Sequence, residues 1–253
     1  MILRSVTKHV KDQNWFAVMV DFIIVVVGVF IGIQVANWNQ SQTFNDRETQ
    51  LLNELKRELE MGITVTNHKG NGYSQVALAG KKSLAAISNK GQCETNCWNV
   101  LVDFMHASQW QDVRVNRSTY DEMRRLGLPR NRSIIERIEG VLAQNEGSAL
   151  VFDDKPIYRS RIRQLIPFDV QQYYWANCYT YERGAEYYLL NCPEGLTNEK
   201  AWQVIKTILS HPDVKLYLTE WSSTTVQFPS DSHDQNAEAL EAIALIDAEL
   251  KSR

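Results

Sequence analysis

At 253 residues, with 44% apolar and 23% charged side chains, the chain has room for one or two domains and is too apolar to be disordered throughout. Its net charge is only −3, with a basic leader set against a mildly acidic remainder. That excludes the positive footprint of a general nucleic-acid binder.

Residues 1–14 open the chain with Ile2, Leu3, Val6 and Val10 as an apolar stripe against Arg4, Lys8 and Lys11. This pattern predicts a short amphipathic helix lying on the inner membrane surface. Residues 15–38 follow as an almost unbroken apolar run with Trp15 and Trp38 at its ends. As a helix rising about 1.5 Å per residue the run covers roughly 35 Å, enough for a hydrocarbon core of about 30 Å, and indole rings favour both interfaces. Gln34 and Ala36 make a poor small-x-small cleavage site, so an uncleaved signal anchor is expected. Arg4, Lys8 and Lys11 precede the span, whereas Arg47 follows it among Asp46, Glu48 and Glu54. The positive-inside rule then puts the N-terminus in the cytoplasm and residues 39–253 outside.

The span carries polar and small residues in one line. At about 100° per residue Gly28 and Gly32 fall within about 20° of Asp21, and Asn39 returns to the same face. Gly-x-x-x-Gly allows close helix packing, and an acid within a span faces protein more cheaply than lipid. The expected partners are the lipid bilayer and, through this stripe, a second copy or another membrane helix.

Beyond the span, Asp46 to Gly62 has Leu51, Leu52, Leu55 and Leu59 on one helical face. "NHKGNG" (Asn67–Gly72) predicts an interruption, and Ser74 to Ser88 a second helix that could fold back on the first. Further helices are expected at Trp98–Ser108, Tyr120–Leu126, Ile134–Gln144, Ile157–Trp175 with a break at Pro167, Asn198–Leu209, Asp213–Ser222 and Gln235–Lys251. Ser118 with Asp121 and Ser133 with Glu136 have capping-box spacing. "DVRV" and "TTVQF" are the strand candidates. The fold class is mainly α: one transmembrane helix followed by a helical-bundle domain over 39–253.

Cys93, Cys97, Cys178 and Cys192 all lie on the external side of this topology, where an even number reads as disulfides. Local pairing, Cys93 with Cys97 and Cys178 with Cys192, is preferred; a four-cysteine zinc site is the alternative, against which the C-x3-C and C-x13-C spacings speak. No C-x-x-C, G-x-S-x-G, H-E-x-x-H, phosphate loop or dinucleotide fingerprint occurs, so no catalytic residue, metal or cofactor is assigned. "SDSHD" around His233 reads as a solvated loop before the last helix.

Two constellations have binding chemistry. Arg114, Arg117, Arg124, Arg125, Arg130 and Arg132, with Arg137 beyond, crowd together, and Arg159 and Arg163 share a helical face. Guanidinium forks suit phosphate and carboxylate groups, whereas Asp121, Glu122 and Glu136 offer local pairing instead. Tyr173, Tyr174, Trp175, Tyr179 and Tyr181 crowd around Cys178, as a cleft wall or as core.

"KDQNWFAVMVDFIIVVVGVFIGIQVANWN", with the later "FMHASQW" and "STYDEMRRLGL", resembles an uncharacterised family of single-span proteobacterial inner-membrane proteins. The resemblance implies a periplasmic helical domain and brings no activity or substrate. The expected function is a non-enzymatic sensing or binding body for an envelope ligand of unknown identity. An envelope enzyme with a non-motif site and a scaffold of a membrane complex are the competing classes.

Overall fold

The computed structural model describes residues 15–93, 95–182 and 185–253; the leader helix expected over 1–14 lies outside them. The described residues are mainly α. They form α1 (Trp15–Ser88), α2 (Cys97–Ala107), α3 (Ser118–Arg125), α4 (Arg132–Val151), α5 (Ile157–Leu165), α6 (Phe168–Asn177), β1 (Tyr179–Glu182), β2 (Ala185–Tyr188), α7 (Asn198–Leu209) and α8 (Asp213–Lys251). Two compact units, Met1–Leu51 and Leu52–Arg253, make up the chain.

The first unit holds the apolar start of α1. Its side chains from Phe22 to Val35 are exposed, and Trp15 and Trp38 are exposed by 71% and 68%. With a mean hydropathy of 2.6 over its most apolar window and none of that window buried, this helix is a candidate membrane span. Beyond the helix's own neighbouring backbone, no atom of the described residues lies within 4 Å of where a side chain at Gly28 or Gly32 would begin.

In the second unit, residues 52–88 of α1 run antiparallel to α8. Lys56 pairs with Asp247 at 2.6 Å, Asn236 donates to Asn67 at 2.8 Å, and Gly80 lies against Ser222, so each advance along α1 meets an earlier residue of α8. The expected interruption at Asn67–Gly72 is absent, and the fold-back of Ser74–Ser88 with it. The glycines serve contact here. A Cβ at Gly80 would fall on Ser222 Oγ, and one at Gly72 would stand 2.7 Å from Gln111 Nε2. Glycine costs a helix about 1 kcal/mol, which the close approach of Ser222 at Gly80 and of Gln111 at Gly72 offsets.

Helix α8 likewise runs through Pro229 and the "SDSHD" segment, where a loop was expected. Trp221, Thr225, Phe228, Ser232, Gln235 and Ala239 keep a buried face on both sides of the proline. A proline costs a helix interior about 3 kcal/mol, and that continuous face holds the helix together across it. "TTVQF" is therefore helical too, and "DVRV" lies outside any strand. Asn145 of α4 holds the latter: Val115 N donates to its Oδ1 at 3.1 Å, while its Nδ2 donates to Val113 O and to Gln235 Oε1.

The two expected capping boxes are replaced. The N-cap of α3 is Arg117, and Glu58 of α1 receives Thr119 N at 3.1 Å together with the hydroxyls of Ser118 and Thr119. The N-cap of α4 is Asn131, whose side chain accepts from Ser133 N at 3.0 Å. A carboxylate or amide oxygen from outside the predicted motif satisfies the orphan donors equally well.

Helix α4 packs along α8, and α2 against α7. Tyr73, Phe152, Phe228 and Trp221 form an aromatic centre, with Tyr73 and Phe152 at 4.6 Å and Tyr73 and Phe228 at 4.9 Å between centroids. The sulfurs of Cys93 and Cys97, and of Cys178 and Cys192, lie at disulfide distance, in the locally paired arrangement.

Candidate functional site

The site begins where α2 ends. His106, Ser108 and Gln109 are buried there, although such residues ordinarily favour solvent. Their hydrogen bonds form a chain with a fixed direction. The carbonyl of Leu189 can only accept, so the 3.2 Å contact from His106 Nε2 places the proton on that nitrogen. Nδ1 is then the acceptor of the Tyr174 hydroxyl at 2.5 Å. The Gln109 amide nitrogen donates to Tyr174 Oη at 2.9 Å and to Met105 O at 3.2 Å, which turns its carbonyl oxygen the other way. That oxygen receives two guanidinium groups, Arg159 Nη1 at 3.3 Å and Arg163 Nη2 at 3.1 Å.

Burial tunes the titratable members. It pulls His106 down to about 4, so the imidazole is neutral at ordinary pH, and it drives Tyr174 well above the usual phenol range. Burial also lowers both arginines, and the charge of Arg159 adds to this at Arg163, which is pulled to about 10. Neither side chain is fully enclosed, and each keeps an edge at solvent.

The arginines sit one turn apart on α5, on one face. Besides Gln109, Arg159 donates to Ser108 O at 2.9 Å and Arg163 to Ser108 Oγ at 3.3 Å. All three acceptors are neutral. Glu186 on β2 is the carboxylate whose charge acts on both, yet neither guanidinium forms an ion pair with a described residue. Trp175 of α6 stacks under Arg163 at 4.9 Å, and Tyr179 meets Trp175 edge-on at 4.9 Å.

The hairpin that carries Glu186 was not foreseen. Strands β1 and β2 pair antiparallel, Thr180 opposite Tyr187, and the free edge of β2 is met by side-chain amides. Glu186 N donates to Gln111 Oε1 at 3.2 Å and Tyr188 N to Gln75 Oε1 at 3.3 Å. Tyr188 Oη donates to the Glu186 carboxylate at 3.1 Å. Cys178 closes the base of the hairpin: its carbonyl accepts Leu189 N at 2.9 Å, and its sulfur meets Cys192.

The aromatic group named from sequence is divided. Tyr174 is fully buried in the chain just described, Trp175 and Tyr179 flank Arg163, Tyr173 packs on Trp98 at 5.6 Å, and Tyr181 is exposed. The arginine crowd is divided as well. Arg114 pairs with Asp112 and Asp153, Arg117 with Asp121, Arg132 with Glu136 and Arg137 with Glu241, all on solvated faces. Arg124, Arg125 and Arg130 are exposed along α3 and the loop after it. Arg114 and Arg117 do border one cleft of about 270 Å³ with Leu142 and Leu150. Asp21, Gly28, Gly32 and Asn39 lie in the exposed start of α1, and His233 is exposed in α8 beside Asp234.

Arg159 and Arg163 were visible in the sequence as an i, i+4 pair, whereas His106, Gln109 and Glu186 were not. Their partners come from segments about fifty residues or more away in the chain, and no local pattern announces them. No protein-family model, curated protein or solved structure matches the chain.

Proposed function

We propose that this is a single-span inner-membrane protein whose external helical bundle, over residues 39–253, binds or senses a component of the cell envelope. The observation that carries the reading is the exposed apolar start of α1, with a tryptophan at either end, on the same chain as a body with two cysteine pairs at disulfide distance. Exposure of that much apolar surface has a ready physical explanation in lipid. Cysteine pairs at bonding distance favour an oxidising compartment, in agreement with the flanking charge that leaves the N-terminus in the cytoplasm. In this reading residues 15–38 are an uncleaved signal anchor, and the Asp21, Gly28, Gly32 and Asn39 stripe docks a second copy of the chain.

Topology is tested by a C-terminal alkaline phosphatase fusion, which is active only when exported. Activity is expected, together with retention of the chain in carbonate-washed membranes. An inactive fusion, or release by carbonate, refutes the anchor. For the stripe, Gly28→Leu with Gly32→Leu should abolish in-membrane crosslinking between copies; unchanged crosslinking refutes the docking.

A further inference from the structure

We infer that Arg159 and Arg163 form a recognition site for an oxyanion, the carboxylate or phosphate group of a small molecule, bordered by the ring of Trp175. The inference rests on the binding reading above and supplies the chemistry of the ligand.

Helix α5 provides an internal control. Its third arginine, Arg161, points to α8 and pairs with Asp213 at 2.6 Å, drawing that carboxylate below its usual range. Arg159 and Arg163, on the other face, carry two positive charges onto a single amide oxygen. Where this protein uses arginine for structure it supplies an acid, as at Asp213, Asp121, Glu136 and Glu241. Two like charges that share the field of one acid, Glu186, and bond to neutral groups are left under-compensated, and a bound anion removes that cost.

Donors are also left over. Among the described residues Arg159 Nε and Nη2 and Arg163 Nη1 have no hydrogen-bond acceptor, and both side chains keep an edge at solvent. Gln109 fixes the two guanidiniums from behind, and its own direction is fixed through Tyr174 and His106. The forks are therefore rigid before any ligand arrives, so little side-chain entropy is lost on binding. Trp175, already under Arg163, gives an apolar neighbour for the body of the ligand. Glu186 opposes the binding of an anion. Its charge acts on both arginines, which leaves the site with a net charge of about +1 and favours a singly charged group.

The test uses the full chain, purified in detergent, and follows binding by titration calorimetry and tryptophan fluorescence. The probes are benzoate, inorganic phosphate and a water-soluble short-chain phosphatidylglycerol, which separate a free organic acid, a free phosphate and a lipid headgroup. Saturable binding of at least one probe is expected in the millimolar range or tighter. Arg159→Gln and Arg163→Gln should each weaken it about tenfold or more. Glu186→Gln should tighten it several-fold, an effect that a misfolded variant does not produce. Absence of saturable binding by all three probes overturns the site, as does binding that the arginine variants leave unchanged. An unaltered affinity in Glu186→Gln overturns the charge argument on which it stands. If binding fails while the alkaline phosphatase fusion stays active, the anion site is lost and the anchored topology is not.

Discussion

Two groups of arginines in this protein look alike in sequence and differ in what they touch. Those between Arg114 and Arg137 are dense and exposed, and Arg114, Arg117, Arg132 and Arg137 each have a carboxylate at hand. Arg159 and Arg163 are only two, half-buried, and bonded to a serine and a glutamine. Density marks a solvated surface; the charge state of the acceptors marks a site. An ion pair on the surface is already satisfied and screened, whereas a guanidinium held by neutral groups keeps its charge available to a ligand.

The comparison breaks most readily at Gln109. Gln109→Leu removes the oxygen on which both guanidiniums converge and strands the Tyr174 end of the chain. A loss of about 3 kcal/mol in urea unfolding is expected, because buried donors, one pair of them charged, are left without partners. A loss below about 0.5 kcal/mol would mean that the arginines are held by something other than this chain.

The neutrality of the chain is next. His106 is held near 4, below its unfolded value, so its contribution to stability is present above about pH 6.5 and is lost as pH falls toward 4. Asp103, on the same helix, has the opposite sign. Burial raises it to about 6 despite Lys82 at 3.7 Å, so its contribution is present below about pH 4 and disappears as pH rises through 6. The two nearly cancel in the native chain. In Asp103→Asn the histidine acts alone, and stability should rise by about 3 kcal/mol between pH 4 and 6.5, measured by denaturant titration at each pH. A flat profile in that variant would contradict a neutral, buried His106.

The smallest effect belongs to the other arginines. Arg117→Ala and Arg132→Ala should each change stability by less than about 0.5 kcal/mol. Neither should alter oxyanion affinity by more than about twofold. A loss of affinity comparable to that of Arg163→Gln would move the site to the crowded segment and erase the distinction.

Much of the fold was legible where local signals and packing agree. The helix expected over Asn198–Leu209 has those bounds in the structure, where Thr197 caps it by accepting from Lys200 N, and Pro167 separates two helices as expected. Sequence and structure part where packing overrules a local breaker. Gly72 and Gly80 bring other chain segments close to α1 without breaking it, and Pro229 sits inside a helix held along its whole buried face. The hairpin at Tyr179–Tyr188 was hidden because its strands are only four residues each and its outer edge is satisfied by glutamine side chains. In the site itself, the spacing of Arg159 and Arg163 was readable, but the neutrality of their acceptors is a tertiary fact.

The antiparallel meeting of α1 with α8 also sets an order of events during synthesis. Lys56 waits for Asp247, 191 residues later, while Cys93 and Cys178 have partners only 4 and 14 residues away. The two cysteine pairs can therefore meet early, whereas Tyr73 gains Trp221 and Phe228 only when the last helix arrives. A message cut short before α8 would yield a protein that fails first at its beginning, with its apolar face open to proteolysis or to any passing chaperone.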